Sequence, residues 1–104
     1  MNKKSDKQKQ KDYTLSKIKK GLIEKHGKTC CICQNECEPE LMHLLPKSIY
    51  PEHYLNPANL VLGCRACHQS FDDNQAFRKL QIDLYDQVAE FDLMNAARYF
   101  GMNN

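Results

Sequence analysis

Two Cys-x2-Cys pairs constrain this chain more than anything else in it. Cys30 and Cys33 form the first, inside TCCIC, and Cys64 and Cys67 the second, inside GCRACH. A two-residue spacer lets both thiolates of a turn face one ion, so two such turns supply the four sulfurs of a tetrahedral zinc site. A chain of 104 residues makes one domain with a small core, and a structural metal is a common supplement at that size. The opening MNKKSDKQKQKDY has no apolar run of the signal-peptide kind. The expectation is therefore a reducing, cytoplasmic setting, where paired cysteines read as metal ligands rather than disulfides. No stretch approaches the ~20 apolar residues of a membrane span, so no membrane partner is expected. Cys31 and Cys37 are left over. Both read as small hydrophobes, with Cys37 a substitute ligand at most.

Charge is unevenly placed. Residues 1–28 hold ten lysines against three acids, a net +7, while residues 29–104 hold five basic residues against ten acidic ones, a net −5. A basic segment on an acidic body suits contact with a polyanion, and it also suits a merely solubilising tail. Residues 1–12 are polar, rich in Lys and Gln, and lack periodicity, so the expectation there is a disordered basic arm.

From Tyr13 a helical pattern begins, with Leu15, Ile18, Leu22 and Ile23 on one face and Gly27 as its stop. Glu40–Leu45 and Asn59–Leu62 each suit one short strand. Pro46, Pro51 and Pro57 make the stretch between them a loop. The second cysteine pair then leads into a helix starting near Arg65, which puts His68 and Asp72 on one face. Beyond Asp73, the residues Phe77, Leu80, Leu84, Val88 and Phe91 form an apolar stripe. A further segment with Leu93, Ala97 and Phe100 ends before Gly101. Two short strands among helices make the expected class α+β, with residues 13–104 as a single domain, a motif-bearing core at 28–73 and a helical extension at 74–101.

Between the cysteine pairs lie MHLLPKS with His43 and NPANLVLG with Asn59, and His68 follows Cys67 directly. In this order the chain resembles the HNH endonuclease family, across about residues 28–73. The stretch MHLLPKSIYPEHYLNPANLVLGCRACH is similar to small phage-type HNH proteins, whose setting is a bacterial or phage-infected cell. The resemblance implies a ββα-metal core stapled by zinc on Cys30, Cys33, Cys64 and Cys67, with flanking N- and C-terminal helices. It implies a metal-dependent nuclease acting on DNA. His43 matches the general base that takes a proton from water. Asn59 matches the amide that orients that ring. His68 matches a ligand of a catalytic divalent ion such as Mg2+ or Mn2+.

One position departs from the family. The residue before the general base is usually Asp or His, a second metal ligand, and here it is Met42. A thioether is a poor ligand for a hard cation. Asp72, one turn after His68, is the best replacement, with Asp73 and His53 behind it. Met42→Asp is then expected to raise activity. Blander readings stand beside these. His43 also suits a core histidine, Asn59 a turn residue, His68 a helix-start surface residue, and Asp72 and Asp73 complements to a helix start. His53 and His26 read as solvent-exposed, and Lys47, beside Ser48, suits either a phosphate contact or plain solvation. Two other functions compete with the nuclease: a non-catalytic zinc module that binds DNA, and a zinc-stabilised module that docks an acidic protein.

Overall fold

A computed structural model describes residues 6–102. Its fold is mixed α+β, with helices α1 (Asp6–His26), α2 (Arg65–Asp73), α3 (Gln75–Lys79) and α4 (Ile82–Phe100), and strands β1 (Glu40–His43) and β2 (Leu60–Gly63). The strands pair antiparallel, with Glu40 opposite Gly63, Leu41 opposite Leu62, Met42 opposite Val61 and His43 opposite Leu60.

Side chains alternate across a strand, so Glu40 and Met42 point to one face of the sheet, Leu41 and His43 to the other. The Met42 face is the core face. Met42 and Val61 cluster there with Phe71 of α2, with Leu84, Val88, Ala96 and Phe100 of α4, and with Leu44, Leu45 and Tyr50. Met42 is wholly buried, and a Cβ at Gly63 would collide with its sulfur. Met42, at the position where the resemblance would lead one to expect a metal ligand, is thus a packed apolar side chain. α1 lies against β2. Leu15, Ile18, Leu22 and Ile23 are its half-buried stripe, and none of its residues is fully buried. Gly27 and Gly101, at φ of 77° and 75°, end α1 and α4 in the left-handed conformation glycine tolerates best.

Three expectations need correction. Residues 6–12 are helical, not a disordered arm, while residues 1–5 lie outside the described residues. Lys and Gln are good helix formers. A Gln8–Asp12 side-chain bond of 2.9 Å, one turn apart, adds to that propensity. The stripe from Phe77 to Phe91 does not run along one helix. The chain turns between α3 and α4, which resets the helical period and leaves Leu80 74% exposed. Leu93 likewise faces solvent. His53 is not free in solvent. Its Nε2 lies 2.8 Å from Asp92 Oδ2, and its ring meets Phe91 edge-on. Asp92 sits at a kink that divides α4, where its carboxylate also accepts from the backbone N–H and side-chain amide of Asn95.

Arg78 is the one buried cation among the described residues. Its guanidinium donates to the carbonyls of Phe71, Asp72 and Tyr99 at 2.9–3.0 Å and lies 3.9 Å from the centre of the Tyr99 ring. The carbonyls at the end of a helix lack intrahelical partners and carry partial negative charge. Arg78 satisfies two of them on α2 and ties that end to α4.

Candidate functional site

The four cysteines come together from two turns. In the first, Cys30 N–H donates to the Asn35 carbonyl and Gln34 N–H to the Cys30 carbonyl, with Gln34 at a φ of 66°. Cys31 N–H donates to the Leu62 carbonyl, which fastens this turn to β2. In the second, Cys64 ends the strand and caps α2, its sulfur accepting from Cys67 N–H. The four sulfurs lie within 4.8 Å of one another, Cys33 and Cys64 at 4.0 Å. Thiolates bound to zinc at about 2.3 Å sit roughly 3.8 Å apart at the corners of a tetrahedron. The set is close enough together to hold a metal ion such as zinc. Burial acts to raise the Cys30 thiol. The N–H groups of Cys33, Cys64 and Ile32 more than offset it and bring the thiol down to about 6. Cys31 stands outside the cluster, and burial pushes its thiol up to about 12. Cys37, also outside, is shifted upward.

A second polar group forms around α2. His68 Nδ1 lies 2.9 Å from Glu40 Oε1, and His68 Nε2 lies 3.3 Å from Asp72 Oδ2. The spacing of His68 and Asp72 on one helix face is as expected from sequence. Glu40 was not expected. It stands two residues before Met42 on the same face of β1, so the pleat carries a carboxylate to α2 from a position one step further back. Arg65 holds its other oxygen at 2.8 Å. The bond from His68 chiefly, helped by Arg65, keeps the Glu40 carboxyl below its ordinary value. Asp72 is shifted upward, as burial outweighs the charge of His68. Glu40, Arg65, His68, Gln69 and Asp72 line an open hollow of about 310 Å³.

His43 ends β1 near this group, and the charges of His68 and Asp72 are felt at its ring. Its Nε2 lies 2.9 Å from the Tyr54 carbonyl, and its ring stacks on the Tyr54 ring at 5.1 Å with 6° between planes. A carbonyl only accepts, so Nε2 carries the proton and Nδ1 presents the lone pair of the neutral ring. Burial, more than anything else, lowers the pKa of His43 below the ordinary histidine value.

Asn59 does not orient His43. It is fully buried, its Oδ1 accepts from Leu45 N–H at 2.8 Å, and its Nδ2 donates to the carbonyls of Leu45 and His53 at 3.0 and 3.2 Å. Its amide pins the loop leaving β1, and ring orientation passes to Tyr54. The turn reading of Asn59 is nearer the mark, as it also closes the short 3-10 turn Pro57–Asn59. Lys47 is exposed, as expected, and its ammonium lies 4.5 Å from the centre of the Tyr54 ring. No signal in the sequence singles out Tyr54 or Arg78. Glu40 was legible as the first residue of a strand, and its period-2 relation to Met42 was the clue available.

No family model matches the chain, and neither a curated protein nor a solved structure matches it. Among the described residues, no helix is long and apolar enough to cross a membrane.

Proposed function

We propose that this chain is a metal-dependent endonuclease that hydrolyses DNA phosphodiesters, as its likeness to HNH proteins implies. The observation that carries the reading is the pairing of His43 with the Glu40–His68–Asp72 group. One imidazole has its proton committed to a backbone carbonyl and its lone pair spare. Within range of its charge, a second imidazole is held between two carboxylates.

Cys30, Cys33, Cys64 and Cys67 would hold a structural zinc, whose binding is coupled to folding. His68 Nε2 and Asp72 Oδ2 would hold a divalent cation such as Mg2+ or Mn2+. Their separation of 3.3 Å is near the roughly 3.0 Å between neighbouring donors of an octahedral ion bonded at about 2.1 Å. Glu40 accepts from His68 Nδ1–H, which fixes the tautomer and turns Nε2 towards Asp72. The cation, when bound, supplies charge neutralisation at a phosphate oxygen and at the departing 3′ oxygen. His43 would take a proton from water at Nδ1 as the water oxygen bonds to phosphorus and the bond to the 3′ oxygen breaks, and the Tyr54 carbonyl accepts from Nε2–H both before and after the transfer, holding the ring in place. Desolvation of the ring keeps it neutral, and so competent as a base, below the ordinary histidine pKa.

A second reading has its own support. A histidine with a carboxylate on each nitrogen is also the arrangement of an ion-paired imidazolium that needs no metal. With Met42 sealed in the core, a non-catalytic DNA-binding module would look the same. A supercoiled-plasmid nicking assay with Mg2+, Mn2+, Ni2+ or Zn2+ separates the two. The nuclease reading expects metal-dependent nicking by the native protein, lost in His43→Ala and His68→Ala with DNA binding retained. A native protein that binds DNA and cleaves no form of it establishes the second reading.

A further inference from the structure

Helix α1 does not trail from the domain but runs past the candidate site. Gln8, Lys11, Asp12, Leu15, Ile18, Lys19 and Leu22 are half-buried, at three- and four-residue spacings that mark one face of a helix turned to the protein. Two of these are lysines. Lys11 reaches the Tyr54 ring, with its ammonium 5.8 Å from the ring centre. Lys19 lies two turns on, about 12 Å along the axis, and its charge is felt at Glu40. The helix thus passes Tyr54 at the His43 end of the site, and Lys19 further along it acts on Glu40 through its charge.

At the His43 end two cations converge on one ring. Lys47, from the loop after β1, lies 4.5 Å from the centre of Tyr54, and Lys11 lies 5.8 Å from it. The same ring stacks on His43. Lys11, Lys47 and Tyr54 line a hollow of about 190 Å³ together with Pro51, Glu52 and Leu55. Among the described residues neither lysine makes an ion pair with a carboxylate, although Glu52 shares the hollow. A structural explanation, that the lysines merely decorate an aromatic, accounts for one of them. It leaves unexplained why two side chains from distant segments bring like charges to one ring and one hollow. An anion in that hollow would pair with both.

The geometry points to a phosphate clamp: Lys11 and Lys47 grip one phosphate of a nucleic-acid strand beside Tyr54, next to the phosphate presented to His43. The clamp rests on the nuclease reading for the identity of that neighbouring phosphate. It makes α1 a wall of the substrate groove. An ammonium is a compact point charge suited to a phosphate, and each phosphate neutralised on duplex DNA releases condensed counterions.

The test measures binding and cleavage separately. Binding of a fluorescein-labelled duplex is followed by anisotropy from low to moderate salt, without added divalent ion. The proteins are native, Lys11→Gln, Lys47→Gln, the double variant, Lys11→Arg with Lys47→Arg, and Lys25→Gln. Lys25 is exposed on the same helix, about 21 Å along its axis from Lys11. The clamp expects the slope of log K against log salt to shrink by about 0.9 in the double variant, one phosphate contact. It expects the arginine pair to restore the slope, unchanged thermal midpoints, and a raised KM with kcat retained. Equal slope losses in Lys25→Gln and Lys11→Gln overturn it, because general charge then suffices. A native slope in the double variant overturns it, as does a slope loss that arginine does not rescue. If the native protein cleaves nothing while the lysine variants lose slope and the arginines restore it, the nuclease reading fails and the clamp stands.

Discussion

The sulfur cluster and the imidazole group share helix α2, through the adjacent Cys67 and His68, and are built in opposite ways. Backbone holds the sulfurs. Each Cys-x2-Cys turn closes on itself, and N–H groups donate to Cys30 and Cys64. Side chains hold His68. Glu40, His68 and Asp72 meet only through their own ends, they are partly open to water, and His43 is steadied by one carbonyl and one ring. A backbone-made centre tolerates change around it and fails when a ligand is lost. A side-chain-made centre should lose function stepwise while the fold survives.

The largest effect expected is on the sulfur side. Cys30→Ser or Cys64→Ser should unfold the domain, since structural zinc contributes on the order of 10 kcal/mol to folding. Circular dichroism with metal analysis checks this, and a folded variant with undiminished zinc would erase the contrast. Next comes His43→Ala, which should slow plasmid nicking by about 10²- to 10⁴-fold, the range for a general base, at an unchanged thermal midpoint.

Two substitutions sharpen the comparison by attacking what lies beneath the imidazole group. Asn59→Ala leaves the Leu45 N–H and the carbonyls of Leu45 and His53 without this partner. It should destabilise by about 1–3 kcal/mol in urea titration. Met42→Asp, expected from sequence to raise activity, should instead destabilise. The new carboxylate would be sealed among Phe71, Val88 and Phe100, where an unpaired charge costs several kcal/mol or more. A stable, more active Met42→Asp protein would show that the core face can open to a metal. Glu40→Gln should be milder, reducing activity or metal affinity by about 10- to 100-fold, the usual loss on removing a histidine's supporting carboxylate. Cleavage rates against metal concentration measure it.

The smallest effect concerns pH. The bond from His53 holds the Asp92 carboxyl below its ordinary value. A depressed carboxyl contributes stability that is complete above the unfolded value of about 3.9 and is lost as pH falls through the lower folded value. Urea midpoints of native and His53→Ala proteins should therefore differ above that range and converge as pH drops below it.

How legible each region was follows from how it is built. The four cysteines lie in two short motifs, so local spacing reveals them. The His68–Asp72 relation is one helical turn and is equally local. Glu40 and Tyr54 reach the site through sheet register and a loop, and the partners of those long-range contacts leave no periodicity to read. The sequence points to the right neighbourhood for Asn59 and not to its partner, because an amide that fits a ring N–H fits two peptide groups as well. Residues 6–12 read as a tail because a helix without a strong apolar face looks the same in sequence as a solvated tail.

Arg78 bears on where this domain can be cut. The motifs lie within residues 28–73, which invites trimming the chain to that segment as a portable unit. The α2 end of that segment depends on a guanidinium that comes later in the chain, and its core depends on Leu84, Val88, Ala96 and Phe100. A trimmed fragment would keep every ligand residue and lose the packing that places them. The smallest transferable piece of this protein therefore extends through α4, and the helices without motifs are as indispensable to it as the cysteines.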